Sequence, residues 1–182
     1  MLGAAVSAAA LSLHVDAGAS SAAAPVPPEL RTALPEAQRS GAARLTYWGF
    51  DVYDASLWVA AGFRPGDWPR HAFALQLHYL RAFDGEDIAK RSVNEMRRAG
   101  PMTATQSAQW LDAMKAAFPD VKKGDRLLGV YAPGAGVRFF HNGTATGTVR
   151  DADFAQRFFG IWLGPQTSEP ALREALLASP AR

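Results

Sequence analysis

Residues 72–100 read AFALQLHYLRAFDGEDIAKRSVNEMRRAG, and a change of period inside this stretch decides the fold class. Up to Leu80 the text alternates. Phe73, Leu75, Leu77 and Tyr79 fall on one side, with Ala74, Gln76, His78 and Leu80 on the other, which is the period of two of a strand. From Asp84 onward the spacing changes. Ile88, Ser92, Glu95 and Met96 recur three or four residues apart, as on one side of a helix. Asp84 is an N-cap residue type, and Glu86 and Asp87 in the first turn favour the positive end of the helix dipole. Gly100-Pro101 stops the helix.

Outward from this junction the same two periods repeat. Upstream, Leu45 to Tyr47 and Val52 to Val59 read as two strands around Trp48-Gly49. Downstream, Thr103 or Thr105 can cap a helix that carries Trp110, Met114 and Phe118 in an i, i+4 row and ends at Pro119. Arg126 to Ala132 is strand-like, Pro133 to Gly136 is a turn, and Val137 to Phe140 is a second strand. Asn142-Gly143 is a strong hairpin signal, because both residues tolerate positive φ, and Thr144 to Val149 returns. Asp151 then caps a helix bearing Phe154, Phe158, Ile161 and Trp162; Gly164-Pro165 ends it, and Ala171 to Leu177 forms a short last helix. The order β-β-β-α-α-β-β-β-α-α predicts an α+β fold with an antiparallel sheet. No internal repeat is visible.

The first forty residues are a different material. No Lys or Arg precedes Arg31, and Leu2 to Val15 is a short apolar run followed by small residues from Ala17 to Ala24. That run has the length of a signal-peptide apolar region and is too short to cross a bilayer. The positively charged start of such a peptide is missing, so the expectation is either a true start upstream of Met1 or a disordered Ala/Pro tail. Pro25, Pro27 and Pro28 read as a stiff linker. The expectation is a leader and linker over 1–40 and one domain over 41–182, in a periplasmic or secreted protein, with a cytoplasmic one as the alternative. No other stretch approaches membrane-spanning length.

Composition excludes several chemistries. With 19 basic and 17 acidic residues, scattered singly or in pairs, the chain lacks the basic stripe of a nucleic-acid binder. It has no cysteine, which rules out disulfides, thiolate nucleophiles and Cys-held metals. The histidines at 14, 71, 78 and 141 show no helical metal-ligand spacing. Gly134-Ala135-Gly136 is a hairpin turn rather than a dinucleotide fingerprint, and neither a phosphate loop nor a Gly-x-Ser-x-Gly elbow is present. The expectation is therefore no cofactor and no metal. One pair invites a binding role. With a turn at Trp48-Gly49, positions 44 and 53 face each other across the hairpin, so Arg44 and Tyr53 would present a guanidinium and a phenol together. The pair can clamp a carboxylate, or it is an ordinary cross-strand contact on an exposed face. The five tryptophans are open to two readings as well, pocket lining or packing.

An ordered set of motifs carries a family resemblance. Gly49-Phe50-Asp51-Val52-Tyr53-Asp54-Ala55-Ser56-Leu57-Trp58 is followed by Lys123-Gly124-Asp125, Tyr131-Ala132-Pro133-Gly134 and Phe140-His141-Asn142-Gly143. Phe154, Phe158, Phe159 and Ile161-Trp162-Leu163-Gly164-Pro165 come next, then Leu172-Arg173 and Leu176-Leu177. Over about residues 41–178 the set resembles the bacterial chalcone isomerase-like proteins. The resemblance implies an antiparallel sheet with helices packed on one face and a ligand cleft between them. Plant members of that superfamily close a chalcone to a flavanone without a cofactor; others bind fatty acids through an Arg and a Tyr. Carried over, Arg44 matches the Arg of the first hairpin, and Tyr53 stands where the isomerases have a Thr. On the helix that follows, Ile88, Arg91 and Glu95 fall at their Tyr, Lys and Asn positions. Ile88 removes a hydroxyl donor, and Glu95 would repel a phenolate. Donors aimed at the oxygen that gains charge are what such a cyclisation needs. The resemblance thus implies a non-catalytic protein that binds a small apolar carboxylate, such as a fatty acid, through Arg44, Tyr53 and Arg91. A cofactor-independent isomerase and a structural or partner-binding exported domain are the alternatives.

Overall fold

The computed structural model describes residues 25–178, and the leader reading of residues 1–24 lies outside them. Six strands form one sheet: β1 (Gln38–Tyr47), β2 (Phe50–Val59), β3 (Phe73–Tyr79), β4 (Arg126–Ala132), β5 (Gly136–His141) and β6 (Thr144–Val149). They lie in sequence order, and every neighbouring pair is antiparallel. Five α-helices accompany them: α1 (Leu30–Ala33), α2 (Gly85–Met96), α3 (Ala104–Ala117), α4 (Ala152–Leu163) and α5 (Pro170–Leu176). The α+β class and the antiparallel sheet are as the sequence predicts.

The alternation in β3 sorts its side chains as read. Phe73, Leu75, Leu77 and Tyr79 join the main core, packed with Val93 and Met96 of α2, Met114 of α3 and Phe154, Phe158 and Phe159 of α4. Ala74 faces the other way, into a smaller cluster with Trp58, Leu128, Val130 and Phe140. Leu30 and Leu34 cover that second cluster, and Leu30 is fully buried. The folded unit therefore starts upstream of Gly41, where the sequence reading begins it, and Pro27, read as linker, is itself fully buried. The outer face of the sheet is apolar around Trp58 and needs cover, which one turn of helix supplies. Gly41 has a separate duty. A Cβ there would collide with the carbonyls of Ala175 and Leu176, so this glycine lets α5 lie against β1.

Local capping fixes where the helices that shape the site begin. Thr103 and Gln106 form a reciprocal capping box on α3, and Asp151 accepts from the Phe154 N–H on α4 at 3.0 Å; a cap of this kind is worth about 1 kcal/mol. Asp151 also accepts from Trp110 Nε1 at 2.9 Å, which ties α3 to α4. Asp84 has the extended backbone of an N-cap but makes no side-chain cap bond. Asp120, from the loop after α3, accepts from the Gly85 N–H at 2.8 Å instead.

Candidate functional site: an apolar cavity under the first hairpin

The site starts with a two-residue turn. Trp48 and Gly49 have φ of 51° and 78°, both left-handed, as the tight hairpin turn requires. Tyr47 pairs with Phe50 and Thr46 with Asp51. The register then slips by one residue, so Leu45, not Arg44, stands opposite Tyr53, and Arg44 stands opposite Asp54. Side chains alternate between faces, so one bulged residue moves a partner to the other side of the sheet. The Arg44–Tyr53 clamp read from the sequence is accordingly not formed.

Arg44 instead holds two carboxylates on the exposed side. Its Nε and Nη2 donate to Asp54 at 2.7 and 3.1 Å, and its Nη1 donates to Asp51 at 2.8 Å. These bonds, the Asp54 hydrogen bond foremost, hold the guanidinium even more firmly in its charged form. Tyr53 points the opposite way, into the molecule.

There it meets a cavity of about 580 Å³ enclosed by the inner face of the sheet, α2, α4 and the segment before α5. Leu75, Leu77, Leu127 and Phe139 form the sheet wall; Ile88 and Ser92 of α2, and Phe158 and Trp162 of α4, face them. The volume lies within the range usual for small-molecule sites, roughly 300–1,000 Å³, and so does the character: mostly apolar with a few placed polar groups. Exposed residues complete the lining at one end, namely Tyr47, Trp48, Phe50, Arg81 and Arg91. That end is the mouth.

The polar groups are few and positioned. Trp162 Nε1 donates to the Tyr53 hydroxyl at 2.9 Å in a buried bond. The indole fills one acceptor site of the phenol oxygen, and among the described residues no acceptor takes the phenol's own proton. Tyr79 sits edge-on to Tyr53, ring centroids 5.9 Å apart. Burial, the largest cause for both, pushes the two phenols well above the ordinary tyrosine range. Both are therefore neutral donors at physiological pH. The Ser92 hydroxyl is committed to the Ile88 carbonyl at 2.8 Å.

Nearer the mouth, Arg91 Nη2 lies 2.8 Å from Glu95 Oε1, and the Ser168 hydroxyl donates to Glu95 Oε2 at 3.0 Å. Arg91 also reaches over the Tyr47 ring, 6.0 Å from its centroid, while Arg81 lies 4.9 Å above Phe50. Tyr53 and Arg91, two of the three ligand-binding residues inferred from the sequence, thus line one cavity, and Arg44 is outside it. Ile88, Arg91 and Glu95 share the α2 face that borders the cavity, as their spacing of three and four residues requires. Of the five tryptophans, Trp48 and Trp162 line it, while Trp58, Trp68 and Trp110 are packing residues.

Sequence reading missed Tyr79, Arg81 and the Trp162–Tyr53 bond. Tyr79 left a signal, a lone hydroxyl closing the apolar row Phe73, Leu75, Leu77. The Trp162–Tyr53 contact spans 109 positions and leaves none.

Fold and cavity together define a class: a meander sheet with four of its helices, α2 to α5, on one face, a ligand-sized apolar space between those layers, and only the single turn of α1 on the other face, where the sequence resemblance implied no helix. The chain belongs to the chalcone isomerase-like family, whose model matches residues 25–178. That match begins where the described fold begins, so α1 lies within the family's unit. Among curated proteins the chain is 30% identical over 141 residues to an uncharacterized protein of Haemophilus influenzae, covering 77% of this chain and 67% of that one. Among solved structures it resembles a fatty-acid binding protein of Arabidopsis thaliana, with a TM-score of 0.60 and 12% identity over 78% of this chain and 87% of the other. At that identity the likeness is one of fold. Among the described residues no helix is long and apolar enough to cross a membrane.

Proposed function

We propose that this protein binds a small apolar carboxylate, such as a fatty acid, in the cavity between sheet and helices, without transforming it. The observation that carries the reading is the Tyr53 hydroxyl: a buried, neutral donor whose proton no acceptor takes among the described residues, set in an apolar space of about 580 Å³. An acyl chain gains about 25 cal/mol per Å² of apolar surface taken from water, and apart from the Tyr53 and Tyr79 hydroxyls the sheet wall is apolar. The head group then needs donors, because a buried unpaired carboxylate is costly. Tyr53 supplies one. Arg91 supplies more, since its bond to Glu95 uses one of five guanidinium donors. The fold of the Arabidopsis thaliana fatty-acid binding protein is consistent with this reading.

The lining gives turnover little support. Ile88 offers no donor, and Glu95 brings a carboxylate to the rim where a developing anion would need positive charge. Export belongs to the proposal as well. The apolar run Leu2 to Val15 and the small residues after it support it, and sequencing the N-terminus of the protein isolated from its host's periplasm or medium tests it.

The binding claim is tested on delipidated protein titrated with saturated fatty acids of increasing chain length. At a hundredfold excess over Kd, about 2.7 kcal/mol of stabilisation is expected, or a rise in Tm of roughly 5–10 °C. Tyr53→Phe and Arg91→Ala should each shrink the rise. No rise at any chain length would contradict the reading.

A further inference from the structure

Four large hydrophobic residues are exposed among the described residues, and three of them occupy the tip of the first hairpin: Tyr47 at 53%, Trp48 at 85% and Phe50 at 60%. Exposed apolar residues scattered singly need no explanation, whereas a cluster does. The local physics makes the cluster stranger. Trp48 has φ of 51°, at a turn position where Asn, Asp or Gly fits without strain and a bulky side chain is a rare occupant. The turn is thus built around a residue that suits neither its backbone nor its solvent.

The tip also borders the cavity: Tyr47, Trp48 and Phe50 belong to the mouth of the same space that Tyr53 lines. Two guanidiniums flank it, Arg81 on the Phe50 face and Arg91 beside the Tyr47 ring. Of the nearby acids, Asp51 is held by Arg44 and Glu95 by Arg91 and Ser168, while Asp87 and Glu169 remain on the lining with no ion pair among the described residues. Arg81 has no carboxylate partner among the described residues. Tryptophan and tyrosine rings with arginines beside them match the layering of a bilayer interface, where rings settle at headgroup depth and guanidiniums reach phosphate.

We infer that the hairpin tip docks the protein on a lipid bilayer, with Trp48 inserted at headgroup depth, so that an amphiphile passes between membrane and cavity without crossing water. The occupant is a phospholipid surface. Apolar insertion by Trp48 and Phe50 provides most of the attraction, and Arg81 adds a modest preference for anionic headgroups. The inference rests on the ligand-binding reading for its purpose but not for its test.

The test is flotation of the full chain, without added fatty acid, on phosphatidylcholine vesicles and on vesicles that also contain phosphatidylglycerol. Trp48→Asn removes the indole and suits the left-handed turn position, so the variant should fold; Phe50→Ser serves as a second probe of the tip. The expected result is that the protein floats, that each substitution lowers vesicle partitioning roughly tenfold or more, and that Arg81→Glu removes the preference for phosphatidylglycerol. Residues 1–24 are identical in every variant, so any contribution of theirs cancels. Equal flotation of the wild type and both tip variants would overturn the inference. So would the absence of flotation, or a dimer that Trp48→Asn converts to monomer in place of vesicle binding. A chain that floats but gains no thermal stability from fatty acids keeps the docking inference and loses the ligand reading, so the two failures are distinguishable.

Discussion

The space between sheet and helices is filled at one end and hollow at the other. At the filled end Phe73 stacks on Tyr131 with ring centroids 4.8 Å apart and meets Phe159 edge-on at 4.8 Å, while Trp68 packs against both Phe73 and Tyr131. The Tyr131 hydroxyl donates to the Pro69 carbonyl at 2.7 Å, so even its polar tip is spoken for. At the hollow end the same strands present Leu75, Leu77 and the hydroxyl rings of Tyr53 and Tyr79, and the space stays open. The difference teaches that stability and recognition are divided along the strands. Interlocked rings hold the layers together at one end, which lets the layers stay apart at the other, where a buried void would otherwise tend to collapse.

The largest expected effect falls on the filled end. Phe73→Ala should destabilise the protein by about 3–5 kcal/mol, a fall in Tm of roughly 6–20 °C by calorimetry; a fall of only a degree or two would show that the aromatic cluster is not what holds the layers.

Filling the hollow end should separate the two properties. Leu77→Trp places a larger ring where space exists, so chemical denaturation should show little loss of stability, while the fatty-acid response should fall by about tenfold or more. Retained binding would mean that the ligand lies elsewhere.

Tyr53→Phe comes next. It strands the Trp162 indole N–H, a loss of about 1–3 kcal/mol for a buried donor left without its acceptor, and it should weaken fatty-acid binding more than it weakens binding of the matching alkane. A pH titration sharpens the same point. Tyr53 and Tyr79 are raised above the unfolded tyrosine value of about 10. Above that pH the unfolded chain gives up protons that the folded chain retains, so their contribution is fully present below about pH 10 and is lost as pH rises beyond it. Tyr79→Phe should flatten this alkaline fall, and an unchanged slope would contradict the assignment.

The smallest effect is expected at Arg44. Its partners are exposed carboxylates on the face away from the cavity, and exposed ion pairs contribute little. Arg44→Ala should leave the fatty-acid stabilisation intact in the same thermal assay.

That last expectation reverses what the sequence suggests, and the reason is local. A two-residue turn at Trp48-Gly49 was legible, and it sets Tyr47 opposite Phe50 as observed. The bulge beyond Thr46 was not, because no Gly, Pro or charge pattern marks it, and one inserted residue turns Arg44 from the inner to the outer face. The alternation of Phe73 to Tyr79, the cap at Asp151 and the Asn142-Gly143 turn were all readable, because each is decided within a few residues, and the α3 cap was readable to one of two threonines, Thr103 or Thr105, of which Thr103 is the one used. The cover that α1 gives Trp58 was hidden, since a single helical turn after a proline-rich stretch has too few residues to show a period. The cavity itself is an absence between layers. The family resemblance pointed toward it, through the cleft it implies, through Tyr53 and through the spacing of Ile88, Arg91 and Glu95 along α2.

The central claim, an amphiphile held in the hollow end, is met most directly by native mass spectrometry of the protein purified from cells with no ligand added, alongside Leu77→Trp prepared in parallel. An adduct of fatty-acid mass is expected on the wild-type chain and is expected to be missing from the variant. A bare wild-type chain, or the same adduct on both proteins, would contradict it.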